Sequence, residues 1–215
     1  MFVEGNIGVN AGLDFLNIAN DNEDGTNNYT VFRPVAKVSA NWVYNRYRYI
    51  SLEVGYQQFS SRQSALLRFA GQPSLRYRLS TQSVGLGFYK TSRKKTRSLS
   101  PLGFYFGYKV NFSRSSATPI KYADTKEKFE GVEKAAYNLI YEKPKLNFFG
   151  LAVSSGFRTV LKDKFTINYA FDFGFDFPLG EYSSNEPQFA FSKKDVQRNN
   201  SLYLYFTIGG GMLLY

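Results

Sequence analysis

The sequence predicts an all-β fold: one domain, residues 1–215, in which eight antiparallel strands close into an up-and-down transmembrane β-barrel with a polar, filled interior. Three observations predict this fold. Apolar and polar residues alternate within separate segments, the connections between these segments differ regularly in length, and no apolar run approaches the ~20 residues that a membrane-spanning helix needs. All-β barrels of this size are commonly undivided, which favours one domain.

The first alternating segment, residues 3–15, places apolar or small residues at odd positions and polar residues or glycine at even positions. A period of two is typical of a strand whose two faces meet different surroundings. The clearest repeat is residues 165–177, where the odd positions hold phenylalanine, isoleucine or tyrosine and the even positions are small or polar. One face of this predicted strand is therefore strongly apolar along its whole length.

Six further segments complete the predicted strands, and they are residues 36–44, 49–59, 77–89, 102–113, 148–160 and 202–215. The fourth and eighth segments along the chain are less regular than the others. In the eighth, apolar residues occupy even positions as far as Ile208. The following Gly209-Gly210-Gly211 run favours a β-bulge that changes the parity before Leu213 and Tyr215.

The connections between the segments alternate in length. The long ones are residues 16–35, 60–76, 114–147 and 178–201, and the shorter ones are residues 45–48, 90–101 and 161–164. In an up-and-down barrel, alternate connections lie at opposite ends, so the long ones share one end. The pattern predicts long extracellular loops, short periplasmic turns and both termini on the periplasmic side. Because Met1-Phe2-Val3 leads directly into alternation, we expect a mature chain without a secretory signal.

The aromatic face of the strands is predicted to point outward for reasons of volume. The interior of an eight-stranded barrel is just wide enough to be filled by side chains, and the large residues of 165–177 would not fit there. A soluble up-and-down barrel of the lipocalin kind, which points its apolar face inward, is the competing interpretation. Soluble monomers seldom expose an apolar patch larger than roughly a few hundred Å². An outward aromatic face therefore predicts a barrel surrounded by lipid.

Three local patterns carry a resemblance to a known family, and they are Gly8-Val9-Asn10-Ala11-Gly12-Leu13, Leu52-Glu53-Val54-Gly55-Tyr56 and the terminal aromatic Tyr215. With these patterns the whole chain resembles the small eight-stranded outer-membrane barrels of the OmpA/OmpX type and, more loosely, the porin-family barrels of the Bacteroidota. The resemblance implies a bacterial outer-membrane location, with outer-membrane lipid and lipopolysaccharide as partners. The parity change expected before Tyr215 departs from the usual final strand of these barrels.

The sequence contains no cysteine and no histidine. Their absence removes disulfides, thiolate ligands, the usual general base and the commonest metal ligand. We therefore expect no cofactor, no metal site and no catalytic residue; the acylases, deacylases and proteases known on barrels of this size rely on histidine. Asp172 and Asp176 lie on one predicted strand with ~13 Å between their Cα atoms, which is too far for a carboxylate dyad.

Several charged residues on the small, polar face are predicted to form a lumen charge network, and they are Glu4, Lys37, Glu53, Lys109, Arg158, Asp172 and Asp176. Unpaired charges in a dry interior are costly, so we expect ion pairs. Strand direction and distance from the turns place Arg158 near Glu4 or Glu53. The same reasoning places Lys109 near Asp172. Two interpretations stay open: a structural plug that keeps the barrel closed, and a gated narrow conduit.

A run of positive charge in the turn 90–101 is predicted to lie at the periplasmic end, and it consists of Lys90, Arg93, Lys94, Lys95 and Arg97. This run could bind anionic headgroups, peptidoglycan or a protein, or remain a solvated turn. The whole chain has a formal charge of +10, which in a soluble protein would suggest nucleic acid as a partner. We expect no nucleic-acid partner because no aromatic platform accompanies the basic run.

The loop 114–147 is a second candidate contact for a protein partner. Asp124 and Glu127 have capping-box spacing, and the apolar residues that follow recur at helical intervals, which predicts a short amphipathic helix. The first functional hypothesis is a noncatalytic barrel that binds a partner through this loop or the turn 90–101, for example as an accessory subunit of a larger envelope complex. The second is a narrow pore for ions or small solutes, and a lipid-modifying enzyme is the least favoured.

Overall fold

The structure is a computed structural model that describes residues 1–12, 32–45, 47–63, 75–92, 102–119, 145–162, 164–180 and 202–214. These residues form the strands β1 (Phe2–Gly12), β2 (Phe32–Asn45), β3 (Arg48–Gln63), β4 (Leu75–Thr91), β5 (Gly103–Pro119), β6 (Lys145–Leu161), β7 (Phe165–Leu179) and β8 (Leu202–Leu213). Each strand pairs antiparallel with its neighbour in sequence, and β8 pairs with β1. The predicted eight-stranded, closed, up-and-down barrel is confirmed.

The two ends of the barrel carry connections of different kinds. We call one end the short-turn end; it carries both chain termini and the connections from β2 to β3, from β4 to β5 and from β6 to β7. We call the other the long-loop end, because the remaining connections meet there. Within the described part of the chain, no helix has the length and hydropathy needed to cross a membrane.

Some strands extend further towards the long-loop end than the sequence alternation predicts. β3 ends at Gln63 and β5 at Pro119, and β4 and β6 begin correspondingly early, at Leu75 and Lys145. The added residues are mostly small or polar, so they show no hydrophobic alternation. Backbone hydrogen bonds between neighbouring strands need no apolar face, and they extend the ladder beyond the apolar part of the barrel.

The aromatic face points outward, as predicted. In β7 the exposed residues include Phe171, Phe173 and Phe175, whereas Asp172 and Asp176 on the opposite face are buried. Every strand exposes large apolar side chains, for example Ile7, Val38, Leu52, Leu86, Tyr108, Leu151, Phe173 and Phe206. An apolar exterior that surrounds the whole barrel is suited to contact with lipid. Closure of the sheet also leaves no strand edge with unpaired backbone groups, which lipid requires.

The apolar exterior forms a belt with polar borders. Along β4 the exposed residues of the belt and its two borders, from the long-loop end to the short-turn end, are Gln82, Val84, Leu86, Phe88 and Lys90. On β5 the belt reaches from Phe112 to Phe104, and Arg114 lies beyond its border on the long-loop side. With a rise of ~3.3 Å per residue and a tilt of ~40°, this span is roughly 20 Å tall, close to the ~25 Å apolar band of outer-membrane barrels.

The predicted change of parity in β8 is wrong. β8 pairs with both β1 and β7 through the glycine run without a register shift, and its outward positions stay even as far as Met212. Gly209 and Gly211 face inward against the side chains of Asn6 and Glu4, and a Cβ at either glycine would overlap them. The glycines therefore make room for inward polar side chains, and no extra residue is inserted.

The belt yields a test on a single strand, because Leu86 lies at its middle and Gln82 at its border. We expect Leu86→Arg to destabilise the folded barrel by about 2–4 kcal/mol, since it places a guanidinium in hydrocarbon, and Gln82→Arg by about 0–1 kcal/mol. Urea titration of folding into phospholipid vesicles measures both changes. Equal destabilisation by the two substitutions would contradict a lipid-facing exterior.

Candidate functional site in the barrel lumen

The inward charges nearest the short-turn end form one ion pair, which we call the lower layer. Arg158 donates from Nε to Glu4 Oε1 at 2.6 Å and from Nη2 to Glu4 Oε2 at 2.7 Å, and both side chains are buried. Their cross-strand neighbours Gly103 and Gly211 carry no side chain, which leaves space for the pair. This two-point geometry holds both charged groups in a defined orientation.

Aromatic rings surround the Arg158 guanidinium. Its Cζ lies between 4.5 and 5.0 Å from the ring centroids of Phe2, Tyr49 and Tyr105. Tyr89 stacks on Tyr49 with centroids 4.8 Å apart. This cluster was not predicted from the sequence, because the inward face was expected to be small and polar. The alternation of inward and outward positions would have predicted the cluster, since each of these rings occupies an inward position of its strand.

Inward glycines make room for inward tyrosines. The ring of Tyr89 lies against Gly87 and Gly107, and the ring of Tyr105 lies against Gly156. A Cβ at any of these glycines would overlap the neighbouring ring. Large side chains and glycines therefore alternate, which fills the narrow interior of an eight-stranded barrel without overcrowding it.

The upper layer lies further towards the long-loop end and combines two lysines with two carboxylates. Lys109 Nζ lies 2.7 Å from Asp172 Oδ2 and 2.8 Å from Glu53 Oε1. Lys37 Nζ lies 2.7 Å from Asp172 Oδ2 and 3.5 Å from Glu53 Oε1. The Ser154 hydroxyl donates to Asp172 Oδ1. Each carboxylate thus faces both lysines, and this network crosses the lumen between β2, β3, β5 and β7.

Both layers are electrically neutral, and together they contain every residue of the predicted lumen charge network except Asp176. Asp176 is 7% exposed and lies nearer the long-loop end, where no ion pair among the described residues includes it. The expectation that each interior charge belongs to an ion pair is not met at Asp176, and the buried Arg33 on β2 is a further inward charge that the sequence alternation did not predict. The described residues place no three His, Cys, Asp or Glu side chains where they could hold a metal ion.

Two small cavities flank the upper layer. One of about 20 Å³ is lined by residues of both layers and separates them. The other, of about 10 Å³, lies on the long-loop side of the upper layer and is lined by Lys37, Glu53 and Asp176 among others. Each has room for roughly one water-sized body. Charged side chains of the upper layer are therefore packed between these two small spaces.

The other predicted contacts fall mainly outside the described residues. Lys90 is exposed at the short-turn border of the belt, but Arg93, Lys94, Lys95 and Arg97 lie outside the described residues. The helix predicted after Asp124 lies outside them as well.

Comparison with known proteins shows the fold. No protein-family model and no curated protein matches the chain. Among solved structures, the chain is similar to Neisserial surface protein A, with 12% identity, a TM-score of 0.52 and coverage of 99% of this chain and 96% of that one. It is also similar to Ail, the attachment invasion locus protein of Yersinia pestis, in complex with the heparin analogue sucrose octasulfate, with 7% identity, a TM-score of 0.50 and coverage of 98% and 95%.

Both solved structures are small eight-stranded outer-membrane barrels. The resemblance expected from the sequence is therefore confirmed at the level of the fold. Identities this low carry no function from one protein to the other.

The lower layer yields a stability prediction. We expect Arg158→Met to destabilise the barrel by about 3–5 kcal/mol, because it leaves the buried Glu4 carboxylate without its partner. The double variant Arg158→Met/Glu4→Gln should recover most of this loss, since no buried charge remains. Urea titration of folding into vesicles measures both variants. If the double variant were as unstable as the single one, the aromatic contacts of Arg158 would matter more than its charge.

Proposed function

We propose that this chain is a noncatalytic integral barrel of the bacterial outer membrane, closed along its lumen, which acts as a structural and partner-binding envelope protein. The observation that carries the proposal is the pair of neutral charged layers that fill the interior. A wide path for solutes would instead need a lumen filled with water. With the inside occupied by its own side chains, the barrel offers its loops, turns and outer surface for contact with other molecules.

The distribution of charge supports a position in a membrane with anionic headgroups. Every acidic side chain of the described residues lies inside the barrel, at Glu4, Glu53, Asp172 and Asp176. All the exposed charged side chains of the described residues are basic, and they are Arg48, Arg78, Lys90, Arg114, Lys145, Lys162 and Lys164. They lie beyond the two borders of the apolar belt, at the level where lipid phosphates would be.

These basic side chains form two collars. The upper collar, at the long-loop end, is Arg78, Arg114 and Lys145 on the adjacent strands β4, β5 and β6. The lower collar, at the short-turn end, is Arg48, Lys90, Lys162 and Lys164. We assign the short-turn end to the periplasm, so that the upper collar contacts the phosphates of lipopolysaccharide. Ail was solved with a sulfated ligand, which is a precedent for an anionic ligand on this fold.

A protein partner is assigned to the connection between β5 and β6, within the predicted loop 114–147, or to the one between β4 and β5, within the predicted turn 90–101. The chain would then be an accessory subunit of a larger outer-membrane complex. The proposal does not include catalysis, because the chain lacks histidine and cysteine and the charged groups of both layers are held in ion pairs. A narrow pore for ions or small solutes is the second candidate function. The cavities on either side of the upper layer favour it, because they could form part of a water path if the layer opened.

Single-channel conductance in planar bilayers separates the two candidates. We expect the unmodified barrel to be silent and Lys109→Ala to produce brief openings, because Glu53 and Asp172 then lose a shared partner and take up water. Arg114→Ala is the matched control, since it removes a positive charge from the same strand on the outer surface. Steady conductance of the unmodified protein would support the pore and overturn the closed barrel.

Binding of lipid A tests the upper collar. We expect Arg114→Ala/Lys145→Ala to bind lipid A about fivefold more weakly, because two exposed charge contacts of ~0.5 kcal/mol each are lost. Native mass spectrometry of the detergent-solubilised barrel, titrated with lipid A, measures the change. The matched control is Arg48→Ala/Lys90→Ala in the lower collar, which should bind as the unmodified protein does. If the unmodified barrel bound dephosphorylated lipid A as tightly as lipid A, a role for these charges would be contradicted.

A further inference from the structure

Two basic side chains lie directly opposite each other on the outer surface at the short-turn end. Arg48 on β3 pairs with Lys90 on β4, and both are exposed. Their neighbours Tyr49 and Tyr89 are buried, so the two charged side chains point to the outside. Cβ atoms of directly opposite residues are ~5 Å apart, and like charges in such positions repel each other. An anion that lies between the two charges would remove this repulsion.

Backbone hydrogen bonding continues beyond the pair and fixes its geometry. Thr91 N donates to Tyr47 O at 2.8 Å, and these two residues form the next pair of the ladder. Hydrogen-bonded and non-hydrogen-bonded pairs alternate along an antiparallel ladder, so Arg48 and Lys90 form a non-hydrogen-bonded pair. Side chains approach each other most closely in pairs of this kind.

The stretch of sequence around the pair holds almost no negative charge. Residues 25–123 include β2 to β5, and Glu53 is the only acidic residue among them. Glu53 lies in the lumen, where it faces the two lysines of the upper layer. Within the described part of the chain, no ion pair includes Arg48 or Lys90. The anion that would neutralise the pair therefore does not come from these strands.

An apolar surface continues from the pair into the belt. The next outward row across the four strands consists of Trp42, Ile50, Phe88 and Tyr108. Trp42, Phe88 and Tyr108 are exposed. Aromatic rings at the border of the belt are typical of the level where headgroups meet hydrocarbon. Positive charge at one level and apolar rings at the next match the phosphate and the acyl chains of a lipid.

We propose that Arg48 and Lys90 together bind the phosphate of an anionic glycerophospholipid in the periplasmic leaflet, with its acyl chains against the row that contains Trp42. The inference rests on the membrane position and orientation of the proposed function and adds a specific lipid to them. An anionic headgroup fits better than a zwitterionic one, because every exposed charged side chain of the described residues is basic and would repel an ammonium group. A pair on two strands suits a slender glycerol headgroup, whereas the upper collar spans three strands and suits the wider headgroup of lipid A.

Trp42 is the only tryptophan in the sequence, so its fluorescence reports on this site alone. Bromine on an acyl chain quenches a tryptophan that it contacts, and the barrel is therefore folded into phosphatidylcholine vesicles that contain a brominated lipid. We expect brominated phosphatidylglycerol to reach half-maximal quenching at an about fivefold lower mole fraction than brominated phosphatidylcholine, which is the gain expected from two exposed charge contacts.

Two double variants assign this preference to the pair. Arg48→Gln/Lys90→Gln should abolish the difference between the two brominated lipids. The matched control is Lys162→Gln/Lys164→Gln, which removes two exposed charges from the same end of the barrel, between β6 and β7. This control should keep the preference, because these lysines lie on the far side of the barrel from Trp42.

Equal quenching by the two brominated lipids in the unmodified barrel would overturn the proposal and would favour an acidic protein segment as the ligand of the pair. A preference lost equally in both double variants would also overturn it, because the total charge of the short-turn end would then be the cause. If neither brominated lipid quenched Trp42, the belt would not face lipid and the proposed function itself would fail. The two failures are therefore distinguishable.

Discussion

The narrow interior of a closed eight-stranded barrel is the constraint on which the rest of this structure depends. Each inward side chain competes for a fixed volume, so large residues are possible only where a neighbour is absent. Tyr89 lies over Gly87 and Gly107, and Glu4 lies beside Gly211, for this reason. The same crowding excludes most water, which makes an unpaired charge costly and explains why acids and bases meet in neutral layers.

The outer surface follows from the same closure. Since the interior cannot accept the aromatic residues of β5 and β7, they face outward, and only lipid suits an apolar belt of this extent. Acidic side chains of the described residues are then confined to the lumen, and the charged side chains exposed at both borders are all basic. The charge of +10, which in a soluble protein would suggest nucleic acid, becomes a feature of a membrane surface. Our functional proposal rests on this separation between a filled inside and a basic outside.

Strand positions and strand ends are encoded differently in this sequence, and each has its own physical cause. Alternation identified the strands wherever one face meets lipid, but it missed the ends of β3 and β5, where the sequence is mostly small or polar and shows no hydrophobic alternation. The glycine run in β8 was interpreted as a bulge because glycine often marks one, whereas the ladder is regular and the glycines make room for Asn6 and Glu4. That reason lies on another strand, and a local pattern cannot contain it.

The sequence by itself determined the strand count, the outward direction of the aromatic face and most of the charged residues that face the lumen, because each of these follows from a period of two along one strand. It missed Arg33, which is buried in β2 before the predicted segment begins. Only the tertiary structure decided which charges meet. Lys109 contacts both Glu53 and Asp172, Arg158 is surrounded by rings from three other strands, and Asp176 is left outside both layers. These outcomes depend on the register between strands and on how closure brings distant ones together, and neither is encoded in the periodicity of any single strand.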